Sequence, residues 1–285
     1  MLIYCNGDSF AAGSELADHI LYPGVLPPLE TVKVAREARD FNGMIKRAME
    51  LCKSKKVIDE ALNRSNFDVQ TIERSLAYPA RLGEIFSAEV INSAIGGSSM
   101  QSIAYRTIVD LQNQTAAGKR PDIAVIHITS PDRFSWFINY AGEPYSIQSI
   151  LLSMADSVEE PHAKNLCKLY INNESERERL LRYYYDIVNV KSACTYFGIP
   201  TVFVTTVYPL GYFFKSEVLH NSLPTDAEFC TLSAAADLQF PIDLIECEIA
   251  LDTDYIHPVG HFTKPVSDRF AENIAVHIRK KLNIT

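Results

Sequence analysis

The sequence predicts an α/β protein, a three-layer α/β/α sandwich around a mostly parallel, doubly wound sheet with insertions at its carboxyl rim. Three observations predict it. Short β-branched runs alternate with amphipathic stretches along the chain. The run Ile123-Ala124-Val125-Ile126-His127-Ile128-Thr129 is apolar almost throughout, as expected of a central parallel strand covered on both faces. The 285 residues suffice for one such domain, residues 1–285, with a sizeable core.

The elements follow in order. Leu2 to Cys5 is the first strand and runs straight into Asn6-Gly7-Asp8-Ser9. Residues 15–77, mostly polar and partly helical, read as an insertion in which Ile45, Met49 and Cys52 mark one helix. A helix beginning after Pro79 extends through Arg81 to Phe86, and Glu89 to Asn92 is the second strand. Ser98 is placed to cap the next helix, with Ile103, Ile108 and Leu111 on its buried side. The run from Ile123 is the third strand. Glu176 to Gly198 is the clearest helix, with Leu180, Tyr184, Ile187, Val188 and Cys194 at helical spacing. The triplet Tyr183-Tyr184-Tyr185 lies on it, so at most one or two of these rings face the core. Thr201 to Thr206 is the fourth strand, and the segment from Pro241 holds a fifth. Pro265 opens the last helix, whose inner face is Val266, Phe270, Ile274, Ile278 and Leu282. Ligands of such sheets bind beyond the carboxyl ends of the strands. That rule puts Ser9, Gly97, Ser130 and Tyr208 on one rim.

Composition narrows the function. The formal net charge is −8 and there is no basic stripe, which argues against nucleic acid as a partner. No apolar stretch is long enough to span a bilayer, and the first residues do not read as a secretory signal. The six cysteines are scattered with no CxxC pair, and no histidine shows metal-ligand spacing. They read as buried free thiols of a cytoplasmic protein.

The candidate chemistry starts at Ser9. A serine hydroxyl attacks only when a base takes its proton and amide donors receive the oxyanion. A tight turn past a strand, eased by Gly7, positions such a group. The plainer reading makes Ser9 a helix N-cap. Far downstream, Asp254 stands three residues before His257. That spacing suits a carboxylate that orients an imidazole. Asp252 and His261 compete for the same two roles. Between these ends, Gly96-Gly97 after a strand allows close backbone approach and exposes an amide. His127, inside a buried strand, reads as a core histidine.

With these stretches in order, GDSF, NSAIGGSS and DYIHP resemble the block signature of the SGNH hydrolases, also called the GDSL family. The resemblance implies a three-layer α/β/α fold and a serine esterase or acylhydrolase that needs no metal or organic cofactor. It implies Ser9 as nucleophile, Gly97 as an oxyanion donor, and Asp254 with His257 as the remaining pair. One block departs: where the family has G-x-N-D, this chain has Thr129-Ser130-Pro131-Asp132, and Pro131 donates nothing. Thr129 or Ser130 supplies the missing hydroxyl, or two backbone amides serve alone. TSPDRF, GGSS and RLGE are also similar to SGNH-type proteins encoded by large tailed phages.

Arg133 is a candidate for holding a substrate carboxylate or phosphate, or for pairing with Asp132 or Asp156. Residues 131–175 carry Phe134, Trp136, Phe137, Tyr140 and Tyr145. Residues 208–240 carry Tyr212, Phe213 and Phe214. Both read as rim insertions whose rings stack on sugars, line an acyl pocket, or pack the insertions down. The expected substrate is a small-molecule or carbohydrate ester, such as an O-acetylated sugar. A non-catalytic binding protein and an acyltransferase are the alternative readings.

Overall fold

The computed structural model describes residues 1–14, 16–22, 25, 41–130, 133–138, 146–151, 164–165, 168–170, 176–205, 244–246, 261 and 263–284. Its centre is a five-stranded sheet built from β1 (Leu2–Asn6), β2 (Glu89–Asn92), β3 (Ile123–His127), β6 (Thr201–Thr205) and β7 (Leu244–Glu246). The order is β2-β1-β3-β6-β7, and every pairing is parallel. Cys5 pairs with Val125, and Ile126 with Phe203, so β1, β3 and β6 end together on one rim.

Period-two alternation along the strands divides the core into two layers. Ile3, Cys5, Ile123, Val125, Val202 and Val204 face one side. There they meet α5 (Tyr78–Phe86) and α8 (Lys264–Leu282), through Leu82 and the stripe Val266, Phe270, Ile274 and Ile278. Tyr4, Ala124, Ile126 and Phe203 face the other side. There they meet α6 (Met100–Ala116) and α7 (Glu176–Tyr196), through Ile103, Leu111, Ile187, Val190 and Cys194. The three-layer α/β/α class expected from the alternation is the architecture observed.

Local signals explain the helix starts. Pro79 sits in the first turn of α5, and Pro265 in that of α8, where a missing N–H costs nothing. The N-cap of α6 is Ser99 rather than Ser98: its hydroxyl accepts from the Ser102 amide, while Ser98 Oγ donates to the Ile95 carbonyl. On α6, Ile103 and Leu111 are buried but Ile108 is half-buried, with Thr107 taking the inward place. On α7, Tyr183 and Tyr184 are buried and Tyr185 is exposed.

After α1 (Ser9–Ala12), the described residues of the 15–77 stretch form three helices, α2 (Asp18–Leu21), α3 (Phe41–Ala61) and α4 (Asn66–Leu76). They close over a small cluster of Ala17, Leu21 and Tyr22. Cys52 on α3 is exposed, unlike the buried Cys5 and Cys194, so it departs from the expectation of a buried thiol. The 131–175 stretch includes an antiparallel hairpin, β4 (Arg133–Ile138) with β5 (Ser146–Leu151), which the helix-and-strand alternation did not predict. Residues 208–240, with Tyr208, Tyr212, Phe213 and Phe214, lie outside the described residues. Among the described residues, no helix is long and apolar enough to cross a membrane.

Gly7 is fixed by packing. A Cβ there would stand 2.5 Å from the His127 Cβ and 3.0 Å from the Ala11 Cβ. We predict that Gly7→Ala lowers the unfolding free energy by about 1–3 kcal/mol through overpacking. The check is a lower urea midpoint at an unchanged m-value.

Candidate active site at the strand ends

The turn after β1 is built on buried polar contacts. Asn6 is fully buried, and its Nδ2 donates to the Ile103 carbonyl at 3.2 Å and to Thr107 Oγ1 at 2.9 Å. Its Oδ1 accepts from the Gly7 amide at 2.8 Å. Asp8, 2% exposed, is the N-cap of the short helix α1 (Ser9–Ala12). Its Oδ1 accepts from the Phe10 amide at 3.1 Å, and its Oδ2 accepts from the Thr129 hydroxyl at 2.8 Å. Capping therefore falls to Asp8, which leaves the hydroxyl of the next residue, Ser9, for other work.

That hydroxyl meets an imidazole. His261 Nε2 lies 2.7 Å from Ser9 Oγ, across 252 positions of sequence. The His261 ring also packs edge-on against Phe10, with centroids 5.2 Å apart. Of the two histidines weighed from sequence, His261 is the one seen beside Ser9. Asp252, Asp254 and His257 lie outside the described residues.

The glycine pair closes another side. Gly96 approaches so that a Cβ on it would be 4.0 Å from the Ser9 Cβ. Gly97 has φ +80, in the left-handed region that favours glycine. Ser99, two residues on, shares a 2.5 Å hydrogen bond with Ser135 of β4, which ties the hairpin to the start of α6.

At the end of β3, Thr129 and Ser130 are both buried. The Thr129 carbonyl accepts from the buried Tyr183 hydroxyl at 2.7 Å. The Thr129 hydroxyl has one proton, and it goes to Asp8. Of the two residues expected to replace the missing Asn, Ser130 is therefore the one whose hydroxyl is not spent on that carboxylate. Pro131 and Asp132 lie outside the described residues.

His127 is a core histidine, as expected. It lies among Phe10, Tyr78 and Phe270, at ring-centroid distances of 5.5, 6.0 and 5.8 Å. Burial pushes its pKa down, the nearby Asp8 carboxylate opposing, so the ring is held towards the neutral form. The role of Asn6 was not read from the sequence. Its one signal is an amide at the end of an otherwise apolar strand.

A second polar cluster lies on the far side of Gly97. The Arg133 guanidinium comes within 3.7 Å of where a Gly97 Cβ would stand. With Arg179, Arg182, Asp186, Tyr183, Tyr170 and the first residues of α6 it lines a narrow cleft of about 20 Å³. Burial raises the Asp186 pKa to about 6, and Arg182 only partly offsets it.

No family model matches this sequence, and no curated protein does. Solved structures do align along nearly the whole chain. One is a lipolytic protein of the G-D-S-L family from Desulfitobacterium hafniense, at 12% identity and TM-score 0.43, covering 96% of this chain and 98% of that one. Another is the psychrotrophic esterase EstA from a Pseudoalteromonas species, at 9% identity and TM-score 0.46, covering 99% and 98%. Superpositions this loose do not bear on chemistry.

The Asp186 shift has a consequence for stability. Between its ordinary value of 3.8 and about 6, the folded state binds more protons than the unfolded state. Stability from this group is thus fully present below that window and lost as pH rises through it. Asp186→Asn, which carries no charge, should melt above the parent protein at pH 7.5. The difference should vanish below about pH 4, as read by thermal denaturation at both pH values.

Proposed function

We propose that the chain is a serine-dependent hydrolase of carboxylic esters and a member of the SGNH hydrolases. The single observation that supports this most is the 2.7 Å contact between Ser9 Oγ and His261 Nε2 at the carboxyl rim. In the proposed reaction His261 accepts the Ser9 proton as Oγ attacks the ester carbonyl. The tetrahedral oxyanion is held by the backbone amides of Ser9 and Gly97, with the Ser130 hydroxyl in place of the absent Asn. His261 then passes the proton to the leaving alcohol. Water, activated by the same imidazole, releases the acyl group and restores Ser9.

The carboxylate that orients the imidazole is proposed to be Asp254, with Asp252 the other candidate. His257 then stands outside the proton relay, and its substitution separates the two histidines. The substrate is a small acyl ester, such as an O-acetylated carbohydrate. The aromatic residues of the two rim insertions support that class.

The altered block favours a second reading, a binding protein on the same fold. Loss of one oxyanion donor typically costs about 100- to 1,000-fold in rate, so turnover on this scaffold is expected to be slow.

Hydrolysis of 4-nitrophenyl acetate is expected to fall by on the order of 1,000-fold or more in Ser9→Ala and in His261→Asn. In His257→Asn it should stay within about ten-fold of the parent, a loss of no more than about 1.4 kcal/mol in transition-state stabilisation. A fluorophosphonate probe should label Ser9, as mapped by peptide mass. Hydrolysis that survives Ser9→Ala unchanged would defeat the serine-esterase reading, whereas no hydrolysis by the parent protein would favour the binding reading. A collapse in His257→Asn with His261→Asn intact would reassign the base.

A further inference from the structure

We propose that the cleft beyond Gly97 is a subsite for an anionic oxyacid group, a carboxylate or a phosphate, carried by the substrate close to its scissile ester bond. Two features of different origin converge there. Arg133 comes from β4, and Arg179 and Arg182 come from one face of α7. Among the described residues, the lining carries three guanidiniums and one carboxyl group, that of Asp186. The second feature is the start of α6. Met100 and Gln101, its first two residues, line the same cleft. The first turn of a 17-residue helix presents free amides and the positive end of the macrodipole.

The guanidiniums differ in what already holds them. Arg182 donates to the Tyr170 hydroxyl at 2.7 Å and stacks on its ring. Arg133 is not held in this way. Its Nε is buried, and among the described residues no hydrogen-bond acceptor meets it. A buried donor of this kind is costly to leave unmatched, and a bidentate oxyanion satisfies it. The cleft admits only a small group, so it takes the charged tip of a ligand and not its body.

Position links the cleft to the ester. A Cβ on Gly96 would stand 4.0 Å from the Ser9 Cβ, and one on Gly97, the next residue, 3.7 Å from the Arg133 guanidinium. The guanidinium therefore lies on the order of 10 Å from the Ser9 side chain, since consecutive Cα atoms are about 3.8 Å apart. An ester reaching both would carry its anionic group a few bonds from the reacting carbonyl. The cleft is a substrate subsite only under the ester-hydrolase proposal, but its affinity for an anion does not depend on turnover.

The test uses the full chain and separates these two claims. Sodium succinate and sodium phosphate are titrated calorimetrically into Ser9→Ala protein, with sodium chloride at matched ionic strength as control. Binding of succinate or phosphate beyond the chloride control is expected. Arg133→Gln should weaken it by about ten-fold or more, Arg133→Lys less, and Lys56→Gln, at an exposed position of α3 that does not line the cleft, not at all. The tighter-binding anion names the oxyacid. With the intact nucleophile, kcat/KM for the monosuccinate ester of 4-nitrophenol or for 4-acetoxyphenyl phosphate should exceed that for 4-nitrophenyl acetate by about ten-fold. Arg133→Gln should erase that preference through KM. Binding no better than chloride, or binding indifferent to Arg133→Gln in a folded protein, overturns the subsite. Binding without Ser9-dependent turnover upholds the anion site and removes the esterase.

Discussion

The buried carboxylate of Asp8 is the contact on which the rim depends. A charge with 2% exposure is costly to remove from water unless donors replace the solvent. Two do so, the Phe10 amide from α1 and the Thr129 hydroxyl from the end of β3. The first starts the helix that carries Ser9. The second ties that helix to the neighbouring strand. Substitution of either donor leaves the carboxylate short of a partner, so the two strand ends are held together by a penalty for separation as much as by attraction. The Tyr183 hydroxyl extends the tie, since it holds the same Thr129 through the backbone carbonyl and so adds α7 to the assembly. Ser9 is thereby placed by three elements that meet at a single carboxylate and a single threonine.

The fold was legible where burial is two-sided. β1, β3 and β6 carry apolar residues on both faces, and only a sheet covered by two helical layers accommodates that pattern. The inner stripe of α8 was equally plain, because Val266, Phe270, Ile274 and Ile278 recur at helical spacing. The β4–β5 hairpin was not legible. Arg133–Ile138 and Ser146–Leu151 are strand-compatible, but no tight-turn dipeptide separates them, and their aromatic content suggested a binding insertion. The cap of α6 slipped by one residue, since Ser98 and Ser99 are equally good caps in sequence. Only the chain path decides which one faces the free amides.

The site was half legible for a related reason. The serine and the glycine pair are local signals, each fixed by a turn within a few residues. The imidazole is not local. The Asp-x-x-His spacing gave weight to His257 because neighbours in sequence can orient one another. The contact that forms is set by where the chain before α8 crosses the rim, and there His261 stands beside Ser9. Thr129 shows the same limit. Its position after β3 made it a plausible oxyanion donor, but its proton is claimed by a carboxylate 121 positions away.

One helix connects the two polar regions of the rim. Arg179, Arg182, Tyr183 and Asp186 recur at intervals of three and four on α7, so they share a face. Tyr183 on that face fixes the Thr129 carbonyl, and its neighbours line the cleft beside Gly97. The helix is anchored beneath them by Ile187, Val190 and Cys194, which are fully buried against the sheet. Its rotation is therefore set by the core, and the placement of the charged residues follows from it. A shift of α7 would move the strand end that supports Asp8 and the cationic wall together. The nucleophile turn and the cleft are thus coupled through packing, although no described hydrogen bond runs directly from one to the other.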